Sequence, residues 1–273
     1  MNGFTRWMMC HPHLAKWLLG FPSILIVTTA VHITFYSWAL TVVVALLFTF
    51  VIFALIDGCY LNAANKATKL LNDTCDYEPL FAVTEEIVRF AKPSPNKQVM
   101  QINYALCYIL KGDAATAKQI MSNINIDKFA GALYSHKLIY YNNLAEIEDL
   151  LGNREAADLY FDKLYKMYRD LKPGKQKDAF AGTINSAVAA HLYRKGDYAA
   201  ALEIMDKVKP GHICSSVQNA YLNARILIAL GENARAREAL KFTIANGGKL
   251  YVVNEAKKML AEISQKNHTG HPV

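Results

Sequence analysis

Lys195-Gly196-Asp197-Tyr198-Ala199-Ala200-Ala201-Leu202 decides how the rest of this chain reads. Its glycine has an alanine seven residues earlier, Ala189, and another five residues later, Ala201. The same spacing recurs as Ala105-Gly112-Ala117, Ala145-Gly152-Ala157 and Ala224-Gly231-Ala236. The physical reading is two antiparallel helices per unit with the glycine at the turn. Each alanine then marks a place where helices cross too closely for a larger side chain. The chain is therefore expected to be all-α, with most of its length in a helical repeat array.

Working outward from the glycines, four helix pairs follow. They are 98–110 with 114–123, 129–151 with 155–170, 178–194 with 198–208, and 215–230 with 234–245. Before them, Glu78-Pro79 opens a helix to about Ala91, stopped by Pro93-Ser94-Pro95. After them, 251–264 has Val252, Ala256, Met259, Leu260 and Ile263 on one side, the pattern of an amphipathic helix capping a solenoid.

The quoted turn resembles the turn and second-helix start of tetratricopeptide repeats, with Lys111-Gly112-Asp113, Leu151-Gly152-Asn153 and Leu230-Gly231-Glu232 as looser copies. The resemblance covers about Gln98–Ala245. It implies a tetratricopeptide-like α-solenoid whose concave face, lined by first helices, holds a protein or peptide. The glycine spacings depart from the family's regular repeat length, an early tryptophan is missing, and Pro173 and Pro210 only approximate the proline after each second helix.

The N-terminal region is of another kind. From Trp17 to Ile56, 40 consecutive residues contain no Asp, Glu, Lys or Arg. One straight helix of that length would be about 60 Å long, twice the ~30 Å hydrocarbon core of a bilayer. Phe35, Tyr36, Ser37 and Trp38 lie near its middle and suit a membrane–water interface. The expectation is a transmembrane helical hairpin, with spans of about 17–34 and 39–56. A re-entrant first segment and a lipid-modified Cys59 after Ile56-Asp57-Gly58 are the alternatives. Arg6 and Lys16 precede the run, while Lys66 and Lys69 follow it, so both flanks are expected in the cytoplasm.

The resulting division is a cytoplasmic tail over 1–16, a two-helix anchor over 17–56 and a juxtamembrane stalk over 57–76. A repeat domain over 77–266 and a disordered tail over 267–273 complete it. The five cysteines have no CxxC spacing and read as reduced thiols, in keeping with a cytoplasmic domain.

No nucleotide-binding, metalloprotease or serine-hydrolase motif occurs, and no enzyme activity or cofactor is expected. Cys10-His11-Pro12-His13 offers metal-ligand residue types that cannot close a tetrahedral site alone, and no metal is expected. The net charge of +7 has no basic stripe interleaved with aromatics, which argues against nucleic acid. Arg169–Lys177 is a basic connection that reads either as a lipid contact or as a solvated loop.

The candidate site is the groove. Stepping back thirteen, ten, six and three residues from each glycine selects the inward positions. The first unit's Val99, Ile102, Leu106 and Ile109 are too apolar to face water and should be covered by the helix beginning at Glu78. The later units give Asn142, Glu146, Asp149, Ser186, Tyr193, Gln218, Tyr221 and Arg225 as a partner-binding set, beside Ile139, Thr183, Ala190 and Ile228. Membrane lipid and an integral membrane subunit are the expected partners of the hairpin. The alternative function is a regulatory receptor that binds a short peptide or a small molecule.

Overall fold

The computed structural model describes residues 12–35, 37–90, 94–129, 131–209 and 211–269, and these are helical throughout apart from short connections, with no strand among them. Helix α1 (Pro12–Ala15) runs through a π-helical turn (Lys16–Gly20) into α2 (Phe21–Phe35). Pro22 has no N–H for the helical ladder, and a widened turn just before it absorbs that loss. Ser23 donates its hydroxyl to the Leu19 carbonyl at 2.6 Å, occupying one acceptor in the distorted region.

Helix α3 (Trp38–Thr74) begins at a Ser37 cap, which accepts from the Leu40 N–H, and packs against α2. His32 lies against Trp38, with ring centroids 4.1 Å apart. Trp17, Leu25, Ile26, Phe35, Leu46, Leu47 and Phe50 all point outward. An apolar surface of this extent is foreign to a water-facing helix. Among the described residues one stretch, Lys16–Phe35, is both long and apolar enough to cross a membrane, and Trp38–Ile52 is a shorter apolar one. Arg6, Cys10 and His11 lie outside the described residues.

The repeat region is built from α4 (Glu78–Phe90), α5 (Pro95–Lys111), α6 (Ala114–Ser122), α7 (Tyr134–Leu150), α8 (Arg154–Asp170), α9 (Lys175–Lys195), α10 (Tyr198–Asp206), α11 (Ile213–Ala229), α12 (Asn233–Asn246) and α13 (Tyr251–Thr269). Neighbours in sequence pack as neighbours in space, which is the arrangement of an α-solenoid. Gly112, Gly152, Gly196 and Gly231 follow first helices with φ of 87°, 77°, 82° and 78°, the left-handed conformation that ends a helix without a Cβ clash. All eight alanines around them are buried, seven with no exposed surface and Ala145 at 7%.

Asp113 and Asp197 cap α6 and α10 by accepting from the Thr116 and Ala200 N–H groups. In the basic connection, Lys177 donates to the carbonyls of Arg169 and Leu171, and so closes the C-terminus of α8. That is the work of a structural loop. The first-unit positions Ile102 and Ile109 are buried in one core with Ile87 of α4 and Ala64 of α3.

Two segments differ from expectation. The stretch read as a stalk is packed into the repeat region: Ala64, Ala67, Leu71 and Cys75 are at most 4% exposed. Their spacing puts them on one face of α3, against α4 and α11. The segment read as a disordered tail begins as helix, because nothing breaks α13 between Ser264 and Thr269.

The array also closes on itself. Leu71 and Cys75 of α3, Leu80 of α4, Cys107 and Leu110 of α5, Cys214 and Val217 of α11, and Leu250 and Val252 form one core. Tyr251 lies so close to Gly112 that a Cβ there would stand 3.0 Å from the Tyr251 Cβ. Lys249 bridges to Glu78 at 2.7 Å, joining the last turn to the first repeat-region helix. The end of the chain thus meets its beginning, and the first helices enclose an interior.

Candidate functional site

Inside the closed array, α5 packs on α7 and α9 on α11, while α7, α8 and α9 share a smaller core of Leu138, Leu164 and Ile184. The Leu171–Gly174 connection, extended at Leu171 and with Gly174 at φ 139°, turns the chain from α8 into α9, which packs back on α8. The result is a cavity of about 460 Å³ walled by α7, α9, α11 and the start of α13. Its volume lies within the range of small-ligand pockets.

Seven of the eight residues selected by counting back from the turn glycines line this cavity: Asn142, Glu146, Asp149, Ser186, Gln218, Tyr221 and Arg225. Thr183 and Ala190 line it as well. The eighth, Tyr193, faces an adjoining cavity of about 240 Å³, which shares Asp149, Arg194 and Arg225 with the larger one. Ile139 and Ile228 instead pack against hydrophobic cores.

Arg225 is the hub between the two spaces. Its guanidinium lies 4.6 Å from the Tyr193 ring centroid and 5.9 Å from that of Tyr221, and 3.8 Å from the Asp149 carboxylate. Arg194 reaches the other Asp149 oxygen at 3.8 Å and donates to Asp158 at 3.0 Å. Asp158 also accepts from Lys195 at 2.9 Å and pairs with the His191 ring at 2.8 Å. Burial alone would raise the Asp158 carboxyl, but Lys195, Arg194 and His191 together hold it at about 2. This network ties α8 to α9 and orients Arg194.

Glu146 is different. Burial, then the nearby Asp149, push its carboxyl up to about 7. Burial and then Glu146 also push the Tyr251 hydroxyl far above its ordinary range. A half-buried carboxyl poised near neutrality in a cavity, close to the Tyr251 hydroxyl, is a common mark of a functional site.

Counting back from the glycines missed Arg194, Asn219, His212, Phe161, Tyr251 and Val252, all of which line the larger cavity. Arg194 adjoins a selected position and could have been found by allowing one residue of helical drift. Tyr251 belongs to no repeat and reaches the interior only through ring closure.

The thiols of Cys107 and Cys214 are pushed by burial up to about 12, which makes them poor nucleophiles. Among the described residues no group of three or more His, Cys, Asp or Glu is placed to hold a metal ion.

No family model, no curated protein and no solved structure matches the chain.

Proposed function

We propose that this chain is a membrane-anchored scaffold of tetratricopeptide-like repeats that holds a short peptide segment of a protein partner inside the array and recruits it to a membrane complex. One observation carries the reading: residues chosen from three successive units by helical spacing alone converge on two adjoining cavities. Polar side chains with stacked aromatic rings set specificity more than raw affinity. Anchoring raises the effective concentration for partners already in the membrane.

The test is cross-linked capture from membranes. Gln218→Ala and Arg225→Gln should lower recovery of the main partner several-fold. Lys241→Glu, at an exposed position on α12 away from the cavity, should leave it unchanged. Loss with Lys241→Glu alone would move the binding surface to the outer face. Charge reversal at Arg225 is the poorer probe, because a carboxylate there would stand beside Asp149.

In this proposal α2 and the apolar first part of α3 form the transmembrane hairpin, with both ends and the repeats in the cytoplasm. It rests on the uncharged run, its positive flanks and the packing of α2 on α3. Protease added to sealed, right-side-out cells should leave the repeats intact. Digestion without permeabilisation would reject the hairpin and favour a single span.

A regulatory receptor for a small molecule is the second reading. The ring closure favours it, because an open-mouthed cavity of about 460 Å³ suits a small ligand as well as a short peptide.

A further inference from the structure

We propose that the larger cavity recognises an ammonium group, with Glu146 as its counter-ion and the rings of Tyr221 and Tyr251 as its aromatic wall. The inference rests on reading the cavity as a ligand site, and it names the chemistry that the ligand must carry.

The argument is one of charge pairing. Asp149 is flanked by Arg194 and Arg225, and Asp158 is tied to Arg194, Lys195 and the His191 ring. Arg225 is itself held against two tyrosine rings and lies 3.8 Å from Asp149. Glu146 is the exception: among the described residues no cation and no hydrogen-bond donor is paired with its carboxylate.

Asp149 lies near it on the same helix, Cys214 and Tyr221 come from α11, and Tyr251 from α13. Arg194 of α9, Arg225 of α11, and Lys209 and His212 of the connection between α10 and α11 line the same cavity, the two arginines lying 3.8 Å from Asp149. An unpaired carboxylate in such a space is costly. An ammonium supplies the missing charge together with three donors, and tyrosine faces attract it further. A lysine side chain of a partner and a free small amine share this chemistry.

The binding should depend on pH. Burial and Asp149 hold the Glu146 carboxyl at about 7, so an ammonium must displace a proton in acid and meets a carboxylate in mild base. Affinity should rise roughly tenfold between about pH 6 and about pH 8, as the ionised fraction of Glu146 grows.

The experiment uses the full chain in detergent micelles and reads its thermal unfolding midpoint with three probes. These are tyramine, Ala-Lys-Ala with both termini blocked, and a blocked Ala-Ala-Ala control. At least one ammonium probe should raise the midpoint saturably and more tightly at the higher pH, while the control does nothing. A response to tyramine alone would identify a free amine as the source, and a response to the lysine peptide a protein segment.

Glu146→Gln should abolish both the shift and its pH dependence while keeping the helix content. The inference is overturned if the ammonium probes do no better than the control, or if Glu146→Gln binds them equally. Should that happen while Arg225→Gln still lowers partner capture, the cavity remains a binding site with different chemistry. Should Arg225→Gln also be silent, the cavity reading falls with it.

Discussion

A chain beginning at Tyr77 is expected to unfold at a much lower denaturant concentration than one beginning at Asn62. Both lack the apolar run, so the comparison isolates the end of α3. The shorter chain loses Ala64, Ala67, Leu71 and Cys75, which are at most 4% exposed. Leu71 and Cys75 pack against Leu80, Leu110, Val217 and Leu250, side chains drawn from both ends of the array.

Removing one buried leucine side chain typically costs ~2–5 kcal/mol, against total domain stabilities of ~5–15 kcal/mol. The shorter chain also loses Asp76, which lies 4.0 Å from Lys249, although that exposed pair matters little. Chemical denaturation followed by circular dichroism gives the answer. Equal midpoints would mean that the end of α3 is only a spacer and that closure contributes nothing.

The contrast between what could be read from the sequence and what could not is physical. Glycine at a left-handed turn and alanine at a close crossing are demanded by local geometry, so Gly196, Ala189 and Ala201 announce themselves wherever they recur. Counting from those glycines then fixes which side of each first helix faces inward, which is how Glu146, Gln218 and Arg225 could be selected together.

Closure is another matter. It depends on contacts between residues as distant as Leu71 and Val217, or Gly112 and Tyr251, and no short-range period encodes them. Ala64, Ala67 and Leu71 do lie on one helical face, but a stripe of two alanines and a leucine beside so apolar a run draws no notice. The pair of exposed Lys118 and buried Glu148, 2.7 Å apart, was hidden for the same reason: it joins two units across a crossing. Tyr251 could not be assigned to the cavity while α13 was pictured as a terminal cap.

Glu146→Gln should make the protein more stable in mild base and flatten one part of its pH dependence. Burial, then Asp149, raise this carboxyl from an ordinary 4.5 to about 7. The folded protein therefore binds the proton more tightly than the unfolded chain does. Between those two values the folded state carries more protons, so stability falls as pH rises, and above about 7 the loss is complete. Its size is on the order of 3 kcal/mol, since each pKa unit corresponds to ~1.4 kcal/mol.

Other groups titrate nearby with different signs. His136 is lowered by burial, so its contribution is present above its unfolded value and lost as pH falls. Asp158, held at about 2, contributes stability that is lost only in stronger acid. The difference between wild type and Glu146→Gln cancels both. Denaturation midpoints of the two proteins should diverge steadily from about pH 5 to about pH 7 and stay apart above it, with the glutamine variant the more stable. Parallel curves would show that Glu146 is solvated in the cavity and carries an ordinary carboxylate, and the energetic reason for an ammonium partner would disappear with it.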